Sequence, residues 1–234
     1  MNQINYRRGI TLLSKVGIIT SSAGSTIDAV FSILKRASID INFVVVTDRI
    51  CESEVVARKH NYKHKTIPYS SEFDSLARDF LFREEKVDLV ILLHSRLITK
   101  DLFQSGKCFN IHPSLLPAFP GMNATKNAFE KGVRYIGVTS HLVDEGIDTG
   151  PILSQCLVPV SRGDTINEIN RKSHYLRIHA FLQILEIKFP EFFRIGSNSD
   201  KTFGLLGNPP LKNSLVKSAF TDYAQDIKDL HIFF

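Results

Sequence analysis

The chain is 234 residues long, with 43% hydrophobic and 23% charged residues, a composition that builds a packed core and excludes a disordered chain. Its net charge of +5 is spread thinly beyond short pairs such as Arg7-Arg8 and Lys35-Arg36, which fits a mild attraction for small anions and gives no support to nucleic-acid binding. Cys51, Cys108 and Cys156 stand far apart without metal-ligand spacing, and no apolar run approaches the roughly 20 residues of a membrane span, so reduced thiols in a cytoplasmic protein with no membrane partner are expected.

Residues 1–14 carry a basic patch but too short an apolar stretch for a signal segment, and read as an N-terminal extension. Val16–Thr20 is a β-branched run that predicts a strand. The polar loop Ser21–Thr26 follows, then Ile27, Val30, Phe31 and Leu34 at helical spacing. Ile41–Val46 predicts the second strand, Glu52–His60 a polar amphipathic helix, and Thr66-Ile67-Pro68 a brief strand stopped by its proline. Phe73–Glu85 has helical spacing at Phe73, Leu76, Phe80 and Leu81. Asp88–Leu93 is a nearly unbroken apolar run, as in a strand covered on both faces.

This β-α-β-α-β rhythm predicts the α/β class, with a Rossmann-like, doubly wound, mostly parallel sheet. Ligands of such sheets sit beyond the carboxyl ends of the strands, so the loops at 21–26, 94–98 and 110–121 should share one rim. After residue 135 the pattern changes. Tyr135–Val143 and Ile152–Val160 flank the turn Gly146–Gly150 and predict an antiparallel C-terminal portion. Asp164 or Thr165 then caps a helix running to about Phe189. Residues 191–234 read as a C-terminal extension with a helical tail. Its stripe of Leu215, Ala219, Tyr223, Ile227 and Leu230 would dock on the body or join a second copy in a homodimer.

The densest polar oddity is Asn110-Ile111-His112-Pro113-Ser114-Leu115-Leu116-Pro117. Asn110 and His112 are two apart at a strand end and point to one side, and the prolines stiffen the exit. A second element, His141–Gly150, gathers Asp144, Glu145 and Asp148 around two glycines with no Lys or Arg. A calcium loop is disfavoured there, because the alternating ligand spacing and distal Glu are missing.

From Phe109 to Gln155 these two elements together resemble the catalytic segment of the formyltetrahydrofolate-dependent formyltransferases, and within that superfamily the phosphoribosylglycinamide formyltransferases of purine synthesis. Weaker similarity extends through Ser95-Arg96-Leu97-Ile98 and Ser53–Pro68, covering roughly 15–190 as a formyltransferase catalytic domain. The resemblance implies an enzyme that moves a formyl group from its co-substrate, N10-formyltetrahydrofolate, to a primary amine without a metal. Asn110, His112 and Asp148 would be its catalytic residues. Asn110 and protonated His112 would donate to the developing oxyanion, while Asp148 favours the imidazolium and relays a proton. By the same resemblance Arg96, Leu97, Ile98, His141, Val143, Asp144 and Glu145 bind folate. Ser22, Gly24, Ser25, Thr26 and Pro113 bind the acceptor, a small phosphorylated or nucleotide-linked amine.

Glycinamide ribonucleotide is the expected acceptor. A nucleotide-linked amino sugar is the alternative, and a non-catalytic folate- or nucleotide-binding module a third reading. Two segments depart from the purine pattern. The first loop of that family resembles Ser-Gly-Asn-Gly-Ser-Asn, whereas Ser21–Thr26 lacks one glycine and both asparagines. The family also places a substrate-contacting carboxylate in the helix after Asp164; here Ile169–Leu185 has no acidic residue, and His174 and Arg177 occupy that neighbourhood.

Overall fold

A computed structural model describes residues 14–94, 96–193 and 206–226. Most of the N-terminal extension, Ser95, the stretch 194–205, Ile227 and Leu230 lie outside the described residues. Five parallel strands come first: β1 (Lys15–Thr20), β2 (Asn42–Thr47), β3 (Lys63–Thr66), β4 (Leu89–Leu93) and β5 (Cys108–His112). Antiparallel β6 (Tyr135–Leu142), β7 (Ile152–Pro159) and β8 (Leu206–Asn208) extend the same sheet in the order β3-β2-β1-β4-β5-β6-β7-β8. The helices are α1 (Ser25–Arg36), α2 (Glu52–Lys59), α3 (Phe73–Arg78), α4 (Lys100–Phe103), α5 (Ala124–Glu130), α6 (Ile166–Lys188) and α7 (Ser214–Asp226); α3 continues as a π-helical turn, Asp79–Glu84.

The strand order reverses between β1 and β4, which opens the crevice where such sheets bind ligands. Alternation along β4 explains its apolar run: Leu89 and Ile91 join the core under α1 and α6, while Val90 and Leu92 join a second core under α3. No helix among the described residues is long and apolar enough to cross a membrane.

Two expected elements are displaced. The strand expected at Thr66–Pro68 instead ends at Thr66, beyond which the Ile67 N–H still bonds the Thr47 carbonyl at 2.9 Å and the Tyr69 N–H the Asp48 carbonyl at 3.1 Å. β3 is an edge strand whose residues Lys63–Thr66 carry no apolar signal, as edges exposed to water require. In the tail, Leu215 is 59% exposed, and the buried face of α7 is Val216, Ala219, Phe220 and Ala224. Phe220 sets that rotation by packing its ring against Tyr175 and His179 of α6, while Arg36 of α1 bonds Asp226 at 2.7 Å.

Thr165 caps α6 in a capping box with Glu168. Just before it, Asp164 meets Lys172 at 2.6 Å, with the two side chains 10% and 3% exposed. Asp164→Ala strands that ammonium in the core and is expected to cost about 3–5 kcal/mol, read as a fall in the urea midpoint. An unchanged midpoint would show that the Pro159 carbonyl at 3.1 Å and Ser161 Oγ at 3.5 Å suffice for Lys172 Nζ.

Candidate active site

Strand β5 brings Asn110 and His112 to Asp148 from one face. Asn110 Nδ2 donates to Asp148 Oδ1 at 3.2 Å, and His112 Nδ1 lies 3.1 Å from Oδ2. An ionised carboxylate only accepts, so the amide nitrogen of Asn110 is the atom that faces it. His112 Nε2 donates to the Phe119 carbonyl at 2.8 Å. Each ring nitrogen therefore faces an oxygen acceptor, the donor pattern of an imidazolium. The Gly121 N–H closes the shell, 2.8 Å from Asp148 Oδ2.

Sheet register adds His141, directly opposite Asn110 across the β5–β6 pair and 2% exposed. Its Nδ1 donates to the Leu142 carbonyl at 2.9 Å, which turns Nε2 toward Asn110 Nδ2 at 3.3 Å and Asp148 Oδ1 at 3.4 Å. Burial pushes the Asp148 carboxyl up, but the His141 hydrogen bond, the Gly121 N–H and the charges of His112 and His141 prevail and hold it down at about 2. Asp148 is thus ionised at neutral pH.

The loop between β6 and β7 presents this carboxylate. Asp148 sits at φ 55, a left-handed conformation that Asp tolerates. Asp144 Oδ1 accepts from the Gly146 N–H at 3.1 Å and Thr149 Oγ1 at 2.7 Å, folding the loop on itself. Gly150 lets the chain return, because a Cβ there would fall 1.7 Å from the Leu142 carbonyl oxygen. Gly150→Ala must shift that backbone, and a displacement of Asp148 by an ångström is expected to cut turnover about 100-fold. Steady-state kinetics beside a thermal melt would check this; wild-type rates would mean that the loop absorbs the methyl.

Of the residues expected to bind folate, His141 sits in the Asp148 cluster and the others form two groups. Arg96, Leu97 and Ile98 follow β4, and Val143, Asp144 and Glu145 follow β6; Ile98 and Val143 both pack on the second core. Arg96 Nε donates to buried Asp48 at 2.6 Å, and its guanidinium stacks 4.0 Å above the Tyr69 ring. Leu97 is 70% exposed, and Glu145 pairs at the surface with Lys100. Beside the Phe73 ring of α3, both ring nitrogens of His94 are buried with no hydrogen-bond partner among the described residues, and burial pushes the imidazole pKa down.

On the expected acceptor side, Ser22 and Ser25 are exposed, and Ser22 Oγ lies 2.9 Å from Thr20 Oγ1. Gly24, at φ 78, starts α1 with no side-chain cap, and a Cβ there would crowd the Ser53 backbone at 3.1 Å. Thr26 Oγ1 lies 3.5 Å from His174 Nδ1 of α6. The Pro113 carbonyl accepts from Thr125 Oγ1 at 3.2 Å.

Sequence reasoning missed the Phe119 carbonyl, the Gly121 N–H and Asp48. The first two lie in Phe119-Pro120-Gly121, where positive φ at Phe119 and Gly121 aims the backbone inward; the Pro-Gly pair was the available signal. For Asp48 the only signal was its position just after β2.

Residues 14–185 match the formyl transferase family. The chain is 34% identical over 174 residues to phosphoribosylglycinamide formyltransferase of Bacillus subtilis (strain 168), covering 70% of this chain and 89% of that protein. It is 33% identical over 197 residues to the trifunctional purine biosynthetic protein adenosine-3 of Homo sapiens, covering 79% of this chain and 19% of that longer protein. The crystal structure of glycinamide ribonucleotide transformylase 1 from Geobacillus kaustophilus superposes with a TM-score of 0.69 at 30% identity, over 75% of this chain and 98% of the other. The match runs from β1 into α6 and takes in the whole Asn110–His112–Asp148 cluster, and this chain belongs to the formyl transferase family.

Proposed function

We propose that this protein transfers the formyl group of N10-formyltetrahydrofolate to the primary amine of glycinamide ribonucleotide. The observation that carries this reading is the convergence of Asn110 and His112 on ionised Asp148 at 3.2 and 3.1 Å. The relative from Bacillus subtilis is a phosphoribosylglycinamide formyltransferase and the Geobacillus kaustophilus structure a glycinamide ribonucleotide transformylase, which supports that acceptor.

The neutral amine attacks the formyl carbon, a C–N bond forms, and the formyl oxygen takes up negative charge. Asn110 donates to that oxygen through the N–H of Nδ2 that now faces His141 Nε2, keeping its other N–H on Asp148, and His112 donates through Nε2, releasing the Phe119 carbonyl. Each such donor is worth about 3–4 kcal/mol in the transition state. A carboxyl held at about 2 is a weak base at neutral pH, so Asp148 acts through its charge, orienting both donors. His112 gives a proton to N10 as the C–N10 bond breaks and regains one from the newly formylated amine.

The test follows folate absorbance with the co-substrate and each amine. Turnover with glycinamide ribonucleotide is expected. Turnover only with a nucleotide-linked amino sugar would move the reading to that acceptor, and folate binding without turnover of any amine would make the chain a binding module.

A further inference from the structure

Helix α6 carries a cation that nothing among the described residues neutralises. Arg177 Nε is buried without a hydrogen-bond partner, and among the described residues no carboxylate pairs with the guanidinium. The neighbouring buried cation of the same helix, Lys172, is paired with Asp164 at 2.6 Å. Burial of an unpaired charge is costly, and functional sites are where folds retain such groups for a ligand to neutralise.

Side chains of an α-helix lean toward its N-terminus, so Arg177 lies back over the turn that holds Ser173 and His174. Its charge is felt there: His174 is held down at about 4, by burial first and by Arg177 second. That turn borders both halves of the acceptor rim. His174 Nδ1 lies 3.5 Å from Thr26 Oγ1, in the first turn of α1, whose N-terminus has no side-chain cap. Ser173 Oγ lies 3.3 Å from Thr125 Oγ1, which donates to the Pro113 carbonyl beside His112.

We propose that Arg177 is a specificity-determining residue whose guanidinium pairs with the phosphate monoester of the acceptor amine at the start of α1. This rests on the formyl-transfer reading above and adds the residue that recognises the acceptor's charge. A guanidinium matches the paired oxygens of a phosphate, and the free N–H groups of a helix N-terminus attract the same anion.

The test uses the full chain and two readouts. Inorganic phosphate, titrated calorimetrically without folate or amine, is expected to bind the wild-type protein and to lose about tenfold or more in affinity in Arg177→Met, with Arg177→Lys intermediate. With glycinamide ribonucleotide, Arg177→Met is expected to raise the KM for the amine by about tenfold or more, leaving kcat and the KM for N10-formyltetrahydrofolate within about twofold. Arg177→Met should melt no lower than the wild type, because it removes an unpaired buried charge. Unchanged phosphate affinity and amine KM in the folded variant would overturn the inference, as would a lowered melting temperature with phosphate affinity intact. A wild-type protein that binds phosphate through Arg177 yet does not formylate glycinamide ribonucleotide would reject that acceptor and uphold the role of Arg177.

Discussion

Asp148→Asn is expected to slow turnover by about 10²–10⁴-fold while folate affinity and the fold survive. The carboxylate takes donors at both oxygens: Asn110 at Oδ1, and His112 with the Gly121 N–H at Oδ2. An amide keeps one acceptor oxygen, so its NH₂ must confront a donor at whichever end it occupies. The negative charge that faces His112 Nδ1 at 3.1 Å is lost as well. Asparagine tolerates the left-handed φ of 55 at this position, so the loop itself has no reason to move. Near-normal turnover in this variant would remove the carboxylate from the mechanism.

The same residue makes a signed prediction for stability. Its folded carboxyl lies at about 2 against an ordinary 3.8, so the ionised form is favoured by folding. The stabilisation is fully present above the ordinary value and is lost as pH falls through the folded one. Urea midpoints of wild type and Asp148→Asn should therefore differ at pH 6 and converge as the pH is lowered from about 4 to about 2. A gap that persists at pH 2 would assign the difference to packing instead of charge.

His112→Ala is expected to lower turnover by a comparable 10²–10⁴-fold, roughly, with the folate site little changed. Removal of this ring, itself 4% exposed, takes one donor from the Phe119 carbonyl, which keeps Ser114 Oγ at 3.2 Å, and one from Asp148 Oδ2, which keeps the Gly121 N–H at 2.8 Å, for a stability loss of about 1–3 kcal/mol. Because His112 and Asp148 act as one unit, the double variant should be little slower than either single one. Fully multiplicative losses in single-turnover rates would show that the two act separately.

Much of the architecture was legible in the sequence because it depends on near neighbours. The β-branched run at Val16–Thr20, the two-faced apolar run ending at Leu93 and the Asp164-Thr165 cap candidates announce their elements through local spacing. Period-two alternation also put Asn110 and His112 on one side of β5 before any packing was known. Edge strand β3 escaped that logic, since a polar edge has no apolar period to read.

Other features belong to tertiary structure alone. The Asn110–Asp148 bond spans 38 residues and the Thr26–His174 contact 148, and no local pattern encodes a partner at such distance. His141 meets Asn110 because antiparallel register sets them opposite. Arg96 is committed to Asp48 because the β2 and β4 loops end on one rim, and the face of α7 is chosen by where Phe220 fits against α6. By itself, then, the sequence determined the order of elements and the residue types able to stabilise an oxyanion, through short-range periodicity and motif. Packing decided which of them share Asp148 and left Arg177 without a counter-charge among the described residues, since both depend on contacts between segments far apart in the chain.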